Sequence, residues 1–172
     1  MLGGMPMENK DSKRAFNEMY MIALKRLENR SPEEIAKNAG YLDLADGTPL
    51  YHQAVHFGEL KDGLIRGSRF DKTVEREFAS FLSDKKDEDI INLCKSLGGE
   101  IIKSKFDLSV VFYLFPNYPV TLNIWFADDE FGAVGSMLVD KSADNYLTIE
   151  DDVVAGEFML RYIFERYNEL YM

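Results

Sequence analysis

The run from Phe106 to Val139 constrains this chain most, because apolar residues recur there with a period of two and turn residues interrupt them twice. Leu108, Val110, Phe112 and Leu114 fall on one side of an extended segment, and Val111, Tyr113 and Phe115 on the other. Alternation of this kind belongs to a β-strand. A strand apolar on both sides predicts cover on both faces and a central place in its sheet. Pro116-Asn117-Tyr118-Pro119 breaks the run. Val120, Leu122, Ile124 and Phe126 then alternate with Thr121, Asn123 and Trp125, and Ala133 to Val139 supplies a third strand after Asp128-Asp129-Glu130-Phe131-Gly132. Connections this short imply antiparallel neighbours.

The flanking segments read mainly as helices. Residues 1–8 are expected to be a flexible tail. From Lys10 to Asn29, Phe16, Met19, Tyr20, Ala23, Leu24 and Leu27 mark one stripe of an amphipathic helix. A second helix is signalled by Ser31 as cap, Pro32 at the first position and Gly40 as stop. Leu50 to Phe57 predicts a short strand with Tyr51, Gln53, Val55 and Phe57 on one side, and Gly58, Gly63 and Gly67 predict irregular backbone after it. Helical spacing resumes with Val74, Phe78, Phe81 and Leu82, capped near Asp71 or Thr73, and again over Glu88 to Leu97, where Gly98-Gly99 stops it. The last helix starts at Thr148, with Asp151 three residues on, and carries Val153, Val154, Phe158, Tyr162 and Tyr167. The expectation is one α+β domain over residues 9–172, an antiparallel meander centred on residues 106–139 and packed with several helices.

Composition narrows the partners. With 172 residues, 46% of them apolar, the chain can bury a core without staples. A formal charge of -10 disfavours nucleic acid and anionic membrane surfaces as partners. Residues 121–172 hold eleven acids against three bases, Lys141, Arg161 and Arg166, which suits a cation or a basic partner and equally suits a soluble surface. Cys94 is the single cysteine, so one chain offers neither a disulfide nor a cysteine-only metal site. The start, Met1 to Met7, lacks a signal peptide's basic and apolar regions, and no window reaches the length of a membrane span. These features predict a soluble, cytoplasmic protein.

Several groups of residues are candidates for chemistry, each with a plain structural alternative. Asp128, Asp129 and Glu130 put three carboxylates in one turn, where a hard cation would relieve their repulsion. A carboxylate of raised pKa there would serve as acid or base. A solvated acidic turn explains the same residues. Glu150, Asp151 and Asp152 could approach the turn, although first-turn acids already suit the helix dipole. His52 and His56 have only Glu59 and Asp62 nearby to complete the three or four ligands a metal needs, and read as well as pocket-lining or exposed side chains. Arg66-Gly67-Ser68-Arg69, with Lys72, reads as a basic loop able to hold a phosphate or carboxylate, or as internal partners of the acidic turn. Trp125, sharing a face with Thr121 and Asn123, offers a stacking platform for a planar ligand, or lies under a helix. Cys94 sits on a helix stripe and reads as core. The sequence carries no nucleophile elbow, dinucleotide fingerprint, phosphate loop or other cofactor motif.

Leu97-Gly98-Gly99-Glu100, Phe115-Pro116-x-x-Pro119-Val120-Thr121-Leu122, Trp125-Phe126-Ala127-Asp128-Asp129-Glu130-Phe131, Asp140, Ser142-Ala143 and Tyr146-Leu147-Thr148-Ile149-Glu150-Asp151 together resemble the prokaryotic domain-of-unknown-function family 3786. Phe57-Gly58-Glu59-Leu60-x-x-Gly63 fits the same pattern, and the resemblance is strongest over residues 97–151. That family has no established activity. It is met mainly in anaerobes, sometimes beside corrinoid or methyl-transfer proteins, so the resemblance implies an anaerobic metabolic setting. Some members carry cysteine-rich iron–sulfur extensions, which a chain with one cysteine cannot reproduce.

The first expectation is therefore a non-catalytic accessory module that binds a small ligand or a protein through Trp125, Asp128, Asp129, Glu130, Arg66 and Arg69. The alternatives are a metal-assisted or carboxylate-based enzyme using the Asp128-Asp129-Glu130 turn, and a structural protein whose acidic end docks a basic subunit. They turn on whether the arginines meet the acidic turn.

Overall fold

The computed structural model describes residues 48–115 and 117–172. The tail and the two helices expected before residue 41 lie outside the described residues. In chain order the elements are β1 (Ala54–Val55), a 3-10 turn (Phe57–Glu59), α1 (Gly63–Leu82), α2 (Asp87–Ser96) and β2 (Glu100–Ile101). They continue with β3 (Leu108–Phe115), β4 (Tyr118–Trp125), β5 (Val134–Asp140), a 3-10 turn (Lys141–Asn145) and α3 (Ile149–Tyr171). The strands form one antiparallel sheet in the order β1-β5-β4-β3-β2, which makes the fold α+β.

The register explains the alternation. Val110 pairs with Leu122 and Leu122 with Met137, while Phe112 pairs with Val120 and Val120 with Val139. All of these are buried on the face that the helices cover. Gly135 lies where a Cβ would meet the Phe78 ring, so the missing side chain lets α1 settle on β5. On the other face Ser109, Asn123 and Ser136 lie in one row. Ser109 donates to Asn123 Oδ1 and its hydroxyl also meets that of Ser104, which draws the 102–107 segment over this face.

Four expectations change. The strand that has long neighbours on both sides is β4, because the edge strand beside β3 is only two residues long; Tyr113, on the outer face of β3, is exposed. The strand foreseen over Leu50 to Phe57 shortens to Ala54–Val55: His52 has a positive φ of 55°, which interrupts extended backbone, and Phe57 enters the 3-10 turn. The irregular backbone foreseen through Gly63 and Gly67 is instead the start of α1, so Asp71 and Thr73 are interior to a helix rather than at its cap. A Cβ on either glycine would come within 2.2 Å of the Phe57 carbonyl oxygen, so these glycines mark close packing of helix on turn. Finally, α3 buries Val153, Gly156, Met159, Leu160, Ile163 and Tyr167, leaving Val154, Phe158 and Tyr162 exposed. Its start is as read: the Thr148 hydroxyl oxygen accepts from the Asp151 amide.

Two carboxylates fasten residues 51–58, which have little regular structure of their own. Asp140 accepts from the amides of Tyr51, Gln53 and Ser142 at 2.9–3.0 Å. Asp71, on α1, accepts from the amides of Phe57 and Gly58 at 3.1 and 2.9 Å. Burial raises the Asp71 carboxyl above the usual range against those two bonds. At Asp140 burial acts in the same direction, but the bonds from Ser142, Tyr51 and Gln53 outweigh it and lower the pKa.

Candidate functional site

The end of β4 and the start of β5 open into a depression of about 830 Å³. Trp125, Phe126, Phe131 and Val134 supply its apolar surface; Asp87, Asp107 and Asp128 supply its charge. Trp125 ends β4 on the outer sheet face, 42% exposed, with its ring 5.2 Å from that of Phe106. Phe131 is 71% exposed on the opposite lip. The Lys105 ammonium stands 5.4 Å from the centre of the Phe106 ring, so this aromatic pair already carries one cation.

Backbone amides set the acids in place. Asp107 Oδ2 accepts from the Phe126 amide at 2.9 Å, which pins the chain as it leaves β4. Asp128 Oδ1 accepts from the amides of Glu130 and Phe131 at 2.8 and 2.7 Å, and the Asp128 amide donates back to the Phe131 carbonyl. The bonds from Phe131 and Glu130 hold the Asp128 carboxyl below the usual range. Asp129 and Glu130 are exposed. All three acids of the turn are exposed, and Asp128 differs in that its carboxylate shapes the loop. Among the described residues no group of three His, Cys, Asp or Glu side chains is arranged to hold a metal ion.

The arginines are elsewhere. Arg66-Gly67-Ser68-Arg69 is helical, in the first two turns of α1, so its amides are not a free anion nest. Arg66 pairs with Glu150 at 3.3 Å and Glu157 at 3.4 Å, both on α3. Its acidic partners thus come from the last helix and not from the 128–130 turn. Arg69 is exposed. Nor do the histidines converge: His52 sits at the strained turn, and His56 places Nδ1 3.8 Å from Asp71 Oδ1 while its amide donates to Glu59. Cys94 is buried, and burial pushes its thiol up to about 11.

A second depression, of about 560 Å³, lies between α3 and the end of β3, lined by Leu97, Phe112, Leu114, Phe158, Met159 and Tyr162 among others. Among the described residues none that lines it is charged.

The sequence reading passed over one buried polar pair. The Tyr118 hydroxyl donates to Asp152 Oδ1 at 2.5 Å, and Asp152 is 1% exposed. A signal was available: Asp152 stands in the buried stripe of α3 at helical spacing with Gly156, Met159 and Ile163. Its place in an acidic first turn hid it.

No described helix is long and apolar enough to cross a membrane. The comparison with curated proteins returns no match, and neither does the comparison with solved structures. The family comparison does match, over residues 16–162, to the family described as Domain of unknown function (DUF3786). That span includes β1 to β5, the Trp125 depression and most of α3, so the chain belongs to the DUF3786 family.

Proposed function

We propose that this protein is a non-catalytic binding module whose binding surface is the Trp125 depression. The observation that carries this reading is an exposed indole and an exposed phenyl ring lining one cavity with three carboxylates, two of them held by backbone amides. An aromatic surface left open to water is costly unless something covers it, and aromatic rings with a few oriented polar groups are the usual lining of ligand sites. Asp129 and Glu130, next to Asp128 in the chain, are exposed and available to the same ligand. Arg66 and Arg69 drop out of this surface, since Arg66 is engaged on α3. The anaerobic, corrinoid- or methyl-transfer-related setting implied by the family resemblance remains part of this proposal.

The enzyme alternative has less support. A carboxylate-based mechanism needs a carboxyl of raised pKa beside a substrate cavity, whereas the Asp128 carboxyl is lowered by the amides it accepts.

Trp125 is the only tryptophan, so its emission reports the site directly. Titration with pooled metabolites and peptides is expected to give a saturable change in that emission, with no turnover of the bound compound. Turnover that Asp129→Ala abolishes would overturn the binding reading.

A further inference from the structure

We propose that the occupant of the Trp125 depression is a basic segment of a partner protein, carrying two or more spaced arginine or lysine side chains. This deepens the binding reading and rests on it. Charge gives the first argument. Asp87, Asp107 and Asp128 line the depression from three separate chain segments, the exposed Asp129 and Glu130 follow Asp128 in the chain, and among the described residues no basic residue lines it. Complementarity therefore calls for a cation.

Preorganisation gives the second. Asp107 and Asp128 are each anchored through one carboxylate oxygen by backbone amides. Among the described residues nothing bonds to the other oxygen of either, Oδ1 of Asp107 and Oδ2 of Asp128, which can accept from a ligand. A guanidinium or ammonium arriving there meets acceptors already held in place.

The third argument separates a peptide from a small cation. No three carboxylates among the described residues converge on one point, so a single compact ion cannot satisfy them together. Cations spaced along an extended chain can. The aromatic surface suits the same occupant: the Lys105 ammonium already stands over Phe106, whose ring leans on Trp125, and the exposed faces of Trp125 and Phe131 remain open for further cationic or apolar groups.

The test uses the full chain and a fluorescein-labelled peptide of alternating glycine and arginine with three arginines, followed by anisotropy. Three comparisons accompany it: the same peptide with citrulline in place of arginine, N-acetylarginine amide as a single cation, and an increasing salt concentration. The arginine peptide is expected to bind saturably, at least about tenfold tighter than either comparison compound, and to weaken as salt rises. In the double variant Asp129→Asn, Glu130→Gln, binding is expected to weaken about threefold or more with the melting temperature unchanged. Trp125→Ala is expected to weaken it further, with circular dichroism confirming the fold. Equal binding of the citrulline peptide would overturn the proposal, and so would single arginine binding as tightly as the peptide. A response of Trp125 emission to neutral or anionic ligands alone would also overturn it while leaving the binding reading intact. No response to any class would overturn both.

Discussion

The Tyr118 hydroxyl joins the first residue of β4 to Asp152 in the first turn of α3, at 2.5 Å and out of reach of solvent. The other oxygen of Asp152, Oδ2, has no hydrogen-bond partner among the described residues. A buried carboxylate with one satisfied oxygen is a costly charge. Burial is the main reason its pKa is pushed up to about 6; the Tyr118 bond opposes the shift, and the charges of Asp144 and Asp151 add to it. The Tyr118 hydroxyl is raised as well, by burial and by its acidic partner.

That pair sets a pH dependence. The folded state holds the Asp152 proton more tightly than the unfolded chain does. Its contribution to stability is therefore complete below the unfolded pKa of 3.8 and is lost as pH rises through about 6. Moving the carboxyl from 3.8 to about 6 corresponds to about 3 kcal/mol. Asp152→Asn keeps an acceptor for Tyr118 and removes the titration. Urea denaturation is expected to find the variant more stable than the parent at pH 8 by up to about 3 kcal/mol, with the two converging near pH 4. Parallel stability curves across that range would count against a strained Asp152.

Asp140 predicts the opposite slope. Its lowered pKa means that the ionised form favours folding, an advantage present above the unfolded pKa of 3.8 and lost as pH falls through the folded value. Asp140→Ala leaves the amides of Tyr51, Gln53 and Ser142 without their acceptor, which is expected to cost about 3 kcal/mol. Hydrogen exchange is the sharper measurement. The Tyr51 and Gln53 amides should lose protection in the variant, and in the parent at low pH, before the amides of β4 do.

The two helical glycines are testable by size alone. Gly67→Ala would place a methyl group 2.2 Å from the Phe57 carbonyl oxygen and 2.4 Å from its carbonyl carbon, both backbone atoms that cannot rotate away. Overpacking of this kind is expected to cost about 3 kcal/mol, and Gly63→Ala a similar amount. Gly132→Ala is the control: among the described residues nothing lies within 4 Å of the added atom, and a change under about 0.5 kcal/mol is expected. Chemical denaturation of the three variants checks the order.

These glycines also show where a sequence stops being legible. Period-two alternation identified β3, β4 and β5 because side-chain direction in a strand is a local property, and their pairing followed from short connections. The start of α1 was hidden because Gly63 and Gly67 are chosen by a turn several residues upstream that only the folded chain brings near. Asp71 and Asp140 were unreadable as clamps for a related reason: the amides they hold in residues 51–58 lie 13 to 89 residues away. At the candidate site, Trp125 and the 128–130 acids were picked out from composition. Asp87 and Asp107 enter from other elements, and Arg66 turned to α3 because helical geometry, invisible behind three glycines, aims it there.

The 128–131 turn separates the binding reading from the metal alternative. Asp128 Oδ1 is occupied by two amides, and among the described residues no three acids converge with Asp129 and Glu130, which are exposed, so Mg²⁺, Mn²⁺ and Ca²⁺ are each expected to leave the melting temperature unchanged. Asp128→Asn retains a side-chain oxygen for the Glu130 and Phe131 amides, whereas Asp128→Ala retains none. The alanine variant is therefore expected to release Phe131 from its lip and shift Trp125 emission towards that of a more solvated indole, while the asparagine variant keeps the parent spectrum. A clear stabilisation by any of the three cations, lost in both variants, would instead favour a metal at this turn. Equal spectra for alanine and asparagine would show that the carboxylate does not shape the wall of the depression.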